Sequence, residues 1–255
     1  MLRIFSVAEN ADIEVAGPFL DRNILAIDTV SDVCSIAVSN EGKIYQLSEK
    51  GQKNHSRKIL GMVSEALGHF GLESQDIDHI VVDVGPGSFT GVRIGLGIAQ
   101  GLAYARGIKV YGVCSLEALA YSAGQGMVLS AMDARMGQVY CGLYDVGEEK
   151  CPDLLSEIVV VDPLNVPTPK DTFYTAIGNG WVVYDKEMKS VIGNGVFETE
   201  SNGFPEARYA IEIAARRTMD SAINATDLRA FYVRNQVAKK TVNRPAKLFK
   251  QSGNL

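Results

Sequence analysis

At 255 residues, 46% of them hydrophobic and 22% charged, the chain is long enough to bury two small lobes or one large core, and its ordinary composition excludes wholesale disorder and fibrous classes. The net charge is −5, and no apolar run approaches the roughly 18 residues needed to span a bilayer. Glu9, Asp12 and Glu14 interrupt the first 22 residues where a secretory signal requires an apolar stretch, so a cytoplasmic protein is expected rather than an exported or membrane-bound one.

Beyond an N-terminal extension over 1–22, the run Ile24-Leu25-Ala26-Ile27-Asp28 reads as a strand ending in an acid, followed by a polar turn over 29–32. Strands are expected over 34–38 and 43–48, with Asn40-Glu41-Gly42 turning between them. From residue 56 the period changes: Ile59, Met62, Val63, Ala66, Leu67 and Phe70 recur at helical spacing, and Gly71 caps the C-terminus. Leu60 widens that apolar face beyond a single stripe, so the helix is either deeply buried or offers apolar surface to a partner.

The β-branched run over 77–84 predicts a strand buried on both faces. It passes through Gly85-Pro86-Gly87-Ser88-Phe89-Thr90-Gly91 into a helix reaching residue 106, and a strand over 109–113 and a helix over 116–123 follow. Then the opening returns: Met127 to Asp133 is again an apolar strand ending in Asp, followed by a turn over 134–137 and an outgoing strand over 138–144. Asp28 and Asp133, 105 residues apart at matching points, predict a duplicated, two-lobed α/β architecture of the actin-like, ribonuclease-H-like (ASKHA) kind, with a cleft between the lobes. The expected divisions are an N-terminal lobe over 23–125, a C-terminal lobe over 126–228 and a basic tail over 229–255. Short strands and loops are expected over 151–201, a helix over 207–223 and an extended segment over 228–237.

The chemistry-bearing residues are few. The loop at 85–91 joins a buried strand to a helix, so its amides can cup an anion, but it lacks the lysine of a Walker A loop, a place Arg93 only partly fills. The competing reading is that its glycines allow close packing while Ser88 or Thr90 caps the helix. Gly91, Gly95, Gly97, Ala99, Gly101, Ala103 and Ala105 give that helix a small-residue surface, at about 0.5–1 kcal/mol per interior glycine relative to alanine. Close approach of another backbone would offset that cost. Asp28 and Asp133 stand where actin-like ATPases and sugar kinases place acids, yet the turns after them nearly lack the glycines that cradle a phosphate. The four cysteines show no CxxC spacing and the three histidines no HxxxH, so free thiols and no sequence-local metal site are expected. Beyond Asp227 the chain holds seven basic residues and no acid, against 18 basic and 30 acidic residues before it. Such a tail can contact RNA phosphates or an acidic partner, or be simply solvated.

Several segments together resemble one family. ILAIDT (24–29), NHSRKIL (54–60), VDVGPGSFTGVRIGLGIAQGLA (82–103), MDARMGQVY (132–140) and FYVRNQVAKK (231–240) are similar to TsaB, also called YeaZ, the bacterial accessory subunit of the tRNA threonylcarbamoyladenosine machinery. The chain departs from that family in its 22-residue extension, in Val30 where serine is common, and over 146–200. The resemblance implies a non-catalytic relative of TsaD, the subunit that transfers the threonylcarbamoyl group to the adenosine next to the anticodon and that holds its metal through a histidine pair absent here. It implies a scaffold that dimerises with TsaD, is joined by TsaE, meets tRNA indirectly through that complex, and forms a homodimer when alone. It implies no required cofactor and, at most, weak ATP or ADP binding in a residual cleft around Asp28, Thr29, Ser88, Thr90, Arg93 and Asp133. It places the partner interface on the helices over 56–70 and 90–106, carried by Ile59, Leu60, Met62, Val63, Ala66, Leu67, Val92, Gly95, Leu96 and Ala99, so that Leu60→Glu or Gly95→Leu would abolish pairing. The competing expectations are a small-molecule kinase or ATPase acting alone in its cleft, and a metallopeptidase-like enzyme.

Overall fold

Alternation along the strands builds the first lobe in the computed structural model, which describes residues 12–14, 21–51, 55–148, 151–169, 173–191, 196–200, 203–217 and 221–234. Strands β1 (Asp12–Glu14), β2 (Ile24–Asp28), β3 (Val33–Asn40) and β4 (Lys43–Lys50) precede helix α1 (His55–His69). Then come β5 (His79–Gly85), α2 (Phe89–Arg106), β6 (Lys109–Cys114) and α3 (Ser115–Ser122). On β2, Leu25 and Ile27 join a core with Ile59, Val63, Ala66 and Leu67 of α1 and Val92, Leu96 and Ala99 of α2. Ile24 and Ala26 turn to the other face, against Ala210, Ile211 and Ala214. Both faces of this sheet are therefore covered, which is why its central strands are nearly continuous runs of apolar residues.

The second lobe holds β7 (Gly126–Arg135), β8 (Gln138–Val146), β9 (Asp153–Leu154), β10 (Val159–Val161), β11 (Tyr174–Ile177), α4 (Gly180–Val183), α5 (Asp185–Val191) and β12 (Val196–Glu200). Helix α6 (Ala207–Arg216) and β13 (Ile223–Asn224) close the described chain. The sheet orders are β1-β4-β3-β2-β5-β6-β13 and β10-β8-β7-β11-β12. In each lobe an antiparallel hairpin partner flanks the first strand on one side and a parallel crossover strand flanks it on the other. β2 and β7 thus hold equivalent places, and the duplication expected from Asp28 and Asp133 is present at the level of topology. The two-lobed actin-like α/β fold follows from it.

Five expectations need correction. Part of the N-terminal extension is a strand, with β1 pairing antiparallel along β4, Ile13 opposite Ile44. The lobe boundary at 228 is not observed, because α6 and β13 return to the first sheet. Ser35 Oγ accepts from the Ala207 amide (2.9 Å), and Gln46 Oε1 accepts from the Arg208 amide (2.9 Å), fixing the start of α6 against β3 and β4. The helix expected to 223 stops at Arg216: Arg217 is extended, and its guanidinium ion-pairs with the buried Glu117 of α3. Within 151–201, expected as strands and loops, α4 and α5 are helical but too short, at 4 and 7 residues, to show a legible period. The segment expected to extend over 228–237 forms no strand over its described part, although Phe231 donates its amide to the Val84 carbonyl (2.8 Å); residues 235–237 lie outside the described residues.

Candidate functional site

Two buried acids lie toward the C-terminal ends of neighbouring parallel strands. Asp28 on β2 and Asp83 on β5 are 1% and 2% exposed. Asp28 Oδ1 accepts from the Val30 amide (3.0 Å), and Asp83 Oδ1 accepts from the Gly85 amide (2.7 Å) and the Ser115 hydroxyl (2.6 Å). Asp83 Oδ2 is buried with no hydrogen-bond partner among the described residues. Burial raises both above the ordinary carboxylate range, Asp83 to about 7; the negative charge of Asp83 lifts Asp28 further, with Glu206 adding to it and Glu117 adding to the rise at Asp83. Burial and mutual repulsion therefore favour a protonated carboxyl in this pair toward neutral pH.

That proton has a measurable consequence. An unfolded aspartate titrates at about 3.9, whereas Asp83 in the fold holds its proton up to about 7. Stability contributed by the pair is then present at low pH and lost as pH rises through that window. Asp83→Asn preserves the Oδ1 acceptor and turns an amide toward Asp28. Urea denaturation from pH 5 to pH 8 should show wild type losing on the order of 1–3 kcal/mol of stability, with most of that loss absent in Asp83→Asn. Parallel curves for the two proteins would contradict the protonated carboxyl.

The glycine loop lies over the end of β2. Ser88 donates its amide to the Val30 carbonyl (2.7 Å), and its hydroxyl accepts from the Gly91 amide (3.3 Å), capping α2. A Cβ at Gly91 would sit 2.0 Å from the Thr29 carbonyl oxygen, one at Gly87 2.6 Å from the Val30 oxygen, and one at Gly95 2.7 Å from the Thr29 hydroxyl. The Thr29 hydroxyl donates to the Gly91 carbonyl (2.7 Å). These glycines serve close packing of α2 on β2, and the cap takes an amide that an anion would need.

The residues expected in the cleft divide accordingly. Ser88, Thr90 and Asp133 line a cavity of about 320 Å³ between the lobes, together with Tyr140, Tyr232 and Arg234. Asp28 and Thr29 do not reach it, being 1% exposed beneath the loop. Arg93 does not line it either: its guanidinium lies 3.2 Å from the centre of the Phe89 ring and 5.3 Å from that of Tyr232. The Asp133 carboxylate accepts from the Arg135 amide (2.8 Å) and the Tyr184 hydroxyl (2.9 Å) and ion-pairs with Arg135 Nη1 (3.0 Å). Arg135 Nη2 also stands 4.0 Å from Asp32 of the first lobe, so one guanidinium answers acids from both sides of the cleft.

A second groove of about 500 Å³ runs past Val84, Cys114, Glu117, Ile158, Leu228 and Phe231. Burial pushes its Cys114 thiol up to about 12, which leaves it protonated and inert at neutral pH. Cys34, Cys114, Cys141 and Cys151 are all free thiols, as the spacing predicts.

The expected interface divides as sharply as the cleft. Ile59, Val63, Ala66, Leu67, Val92, Gly95, Leu96 and Ala99 face their own core, and Met62 is half-buried. Leu60 is 57% exposed and Tyr104 76% exposed, and beside them the solvent-facing glycines 61, 68, 97 and 101 would meet nothing within 4 Å if given a Cβ. The outward positions of α1 therefore include Leu60, Gly61 and Gly68 among the polar Lys58, Ser64, Glu65 and His69, and those of α2 include Gly97, Gly101 and Tyr104, one or two positions round each helix from most of the residues expected. Gly95→Leu is corrected as a test of pairing, because it would strike Thr29 inside the lobe. Four exposed helical glycines together cost roughly 2–4 kcal/mol relative to alanine. Nothing within the described fold occupies the space they leave.

Comparison with known proteins covers most of the chain. A family model described as TsaD, tRNA N6-adenosine threonylcarbamoyltransferase, matches residues 46–164. The tRNA threonylcarbamoyladenosine biosynthesis protein TsaB of Haemophilus influenzae is 32% identical over 231 residues, covering 85% of this chain and 95% of that one. TsaB of Escherichia coli is 34% identical over 231 residues, covering 85% and 96%. The solved structure of YeaZ from Pseudomonas aeruginosa superposes with a TM-score of 0.75 at 30% identity, covering 83% of this chain and 99% of that one.

Proposed function

The chain belongs to the TsaB (YeaZ) family of tRNA threonylcarbamoyladenosine biosynthesis proteins, and from that premise we propose that it serves the pathway as a non-catalytic subunit. In this reading it docks TsaD through the outward face of α1 and α2, TsaE joins the pair, and the complex acts in the cytoplasm on the adenosine next to the anticodon. No helix among the described residues is long and apolar enough to cross a membrane. When alone, the chain pairs with a second copy through the same face, since apolar surface left open favours cover.

One observation carries the proposal: glycine stands at 97 and 101, where this chain's own packing gains nothing from it. A close backbone approach from another subunit gives those positions a reason. The cleft supports the same reading from the other side. Its loop glycines are consumed in packing, its Asp133 is ion-paired with Arg135, and its deeper acids Asp28 and Asp83 are buried in the core. A lone kinase or ATPase needs a phosphate cradle where these contacts stand. A metallopeptidase needs a ligand cluster, and the three histidines of the sequence offer no HxxxH pair.

Purified TsaD mixed with the tagged chain should be retained stoichiometrically, while the chain alone should hydrolyse ATP no faster than buffer. Brisk ATP turnover by the isolated chain would favour the lone-enzyme reading, and failure to retain TsaD would remove the scaffold role.

A further inference from the structure

Two guanidinium groups stand near the mouth of the cleft without a carboxylate partner among the described residues, on a protein that is otherwise acidic. Arg93 donates to the Phe89 carbonyl (3.0 Å) and stacks against the Phe89 ring. Arg234 donates to Gln138 Oε1 (2.6 Å) and to the Ala134 carbonyl (3.3 Å). Both are oriented by neutral groups. Interleaved with them, Phe89 is 57% exposed, Phe231 41% and Tyr232 50%.

Large rings held in water beside uncompensated cations are costly for folding alone, but they match one class of ligand. Bases of a single strand stack on such rings while guanidinium groups meet the phosphates. A duplex keeps its bases stacked on each other, and an acidic peptide would answer the cations but leave the rings unused. We propose that this cleft mouth, centred on Phe89, Arg93, Tyr232 and Arg234, holds a single-stranded segment of RNA. The choice of RNA rests on the tRNA pathway assigned above; the site itself is separate from the outward glycine face. The contact is direct, beyond the indirect meeting with tRNA that a scaffold role alone requires.

The test is fluorescence anisotropy of the full chain with three probes: a mixed-sequence single-stranded oligoribonucleotide, the same strand annealed to its complement, and polyglutamate. The single strand should bind most tightly and polyglutamate should not compete. Phe89→Ala and Tyr232→Ala should each weaken binding about fivefold or more. Arg234→Gln should lower the slope of log affinity against log salt by about one phosphate contact. All three variants should melt as the wild type does and retain TsaD. Leu60→Glu should do the reverse, losing TsaD and keeping RNA, which separates failure of this site from failure of the docking role. Equal or tighter binding of the duplex, competition by polyglutamate, ring variants without effect, or no binding of the single strand at low salt would each overturn the proposal.

Discussion

Gly91→Ala should unfold or nearly unfold the first lobe, whereas Gly101→Ala, ten residues along the same helix, should stabilise it. At 91 the added Cβ would lie 2.0 Å from the Thr29 carbonyl oxygen, and that oxygen belongs to backbone at the end of a central strand, which has nowhere to move. Overpacking against fixed backbone leaves the usual range of about 1–3 kcal/mol, and a loss on the order of 4 kcal/mol or more is expected. Against a total stability of about 5–15 kcal/mol that is a large share. At 101 the Cβ meets nothing within 4 Å, so only the helix preference for alanine remains, about 0.5–1 kcal/mol in favour of the variant. Thermal melts of the two variants beside wild type check both signs. A Gly91→Ala protein melting at the wild-type temperature would mean that α2 does not sit on β2 as described.

The second large effect concerns partners rather than folding. Leu60→Glu and Gly101→Leu should leave the melting temperature within a few degrees of wild type and weaken TsaD retention by at least about a hundredfold. Leu60 lies on the outward side of α1, so its replacement costs the monomer little, but docking would then bury an unpaired carboxylate. A leucine at 101 holds two subunits apart by the depth of a side chain where backbones would otherwise meet, which is a hot-spot loss by position. Surface plasmon resonance against immobilised TsaD reads both. Retained affinity in both variants would move the interface elsewhere on the molecule.

The strands were legible because their alternation is forced by burial on two faces, and Asp28 and Asp133 marked the duplication because each follows an apolar strand and opens a polar turn. Which side of each helix looks outward was not legible. Ile59 and Leu60 are neighbours of like hydrophobicity, and Gly95 and Gly97 differ by about 200° round the axis. Only the Thr29 hydroxyl, more than sixty positions away in sequence, decides that 95 is inside and 97 is not. Asp83 carried a readable signal that hydropathy averaging hides: an acid between Val82 and Val84, in a strand buried on both faces, must find a partner or a proton. Arg135, Asn179, Tyr184 and Arg234 in the cleft had no local signature. They meet there through the second lobe and the returning segment near 231, which no sequence spacing connects. β1 and β13, at 3 and 2 residues, exist only because an edge of the first sheet awaits them.

Reconstituted tRNA modification, with TsaD, TsaE and the enzyme that forms the threonylcarbamoyl-adenylate, tests most directly whether this chain works by docking. Adding the wild-type chain should switch on threonylcarbamoyladenosine formation, and adding the folded Leu60→Glu or Gly101→Leu variant should leave it near the level without the chain. Full modification in the absence of the chain, or undiminished modification with both docking-face variants, would contradict the account.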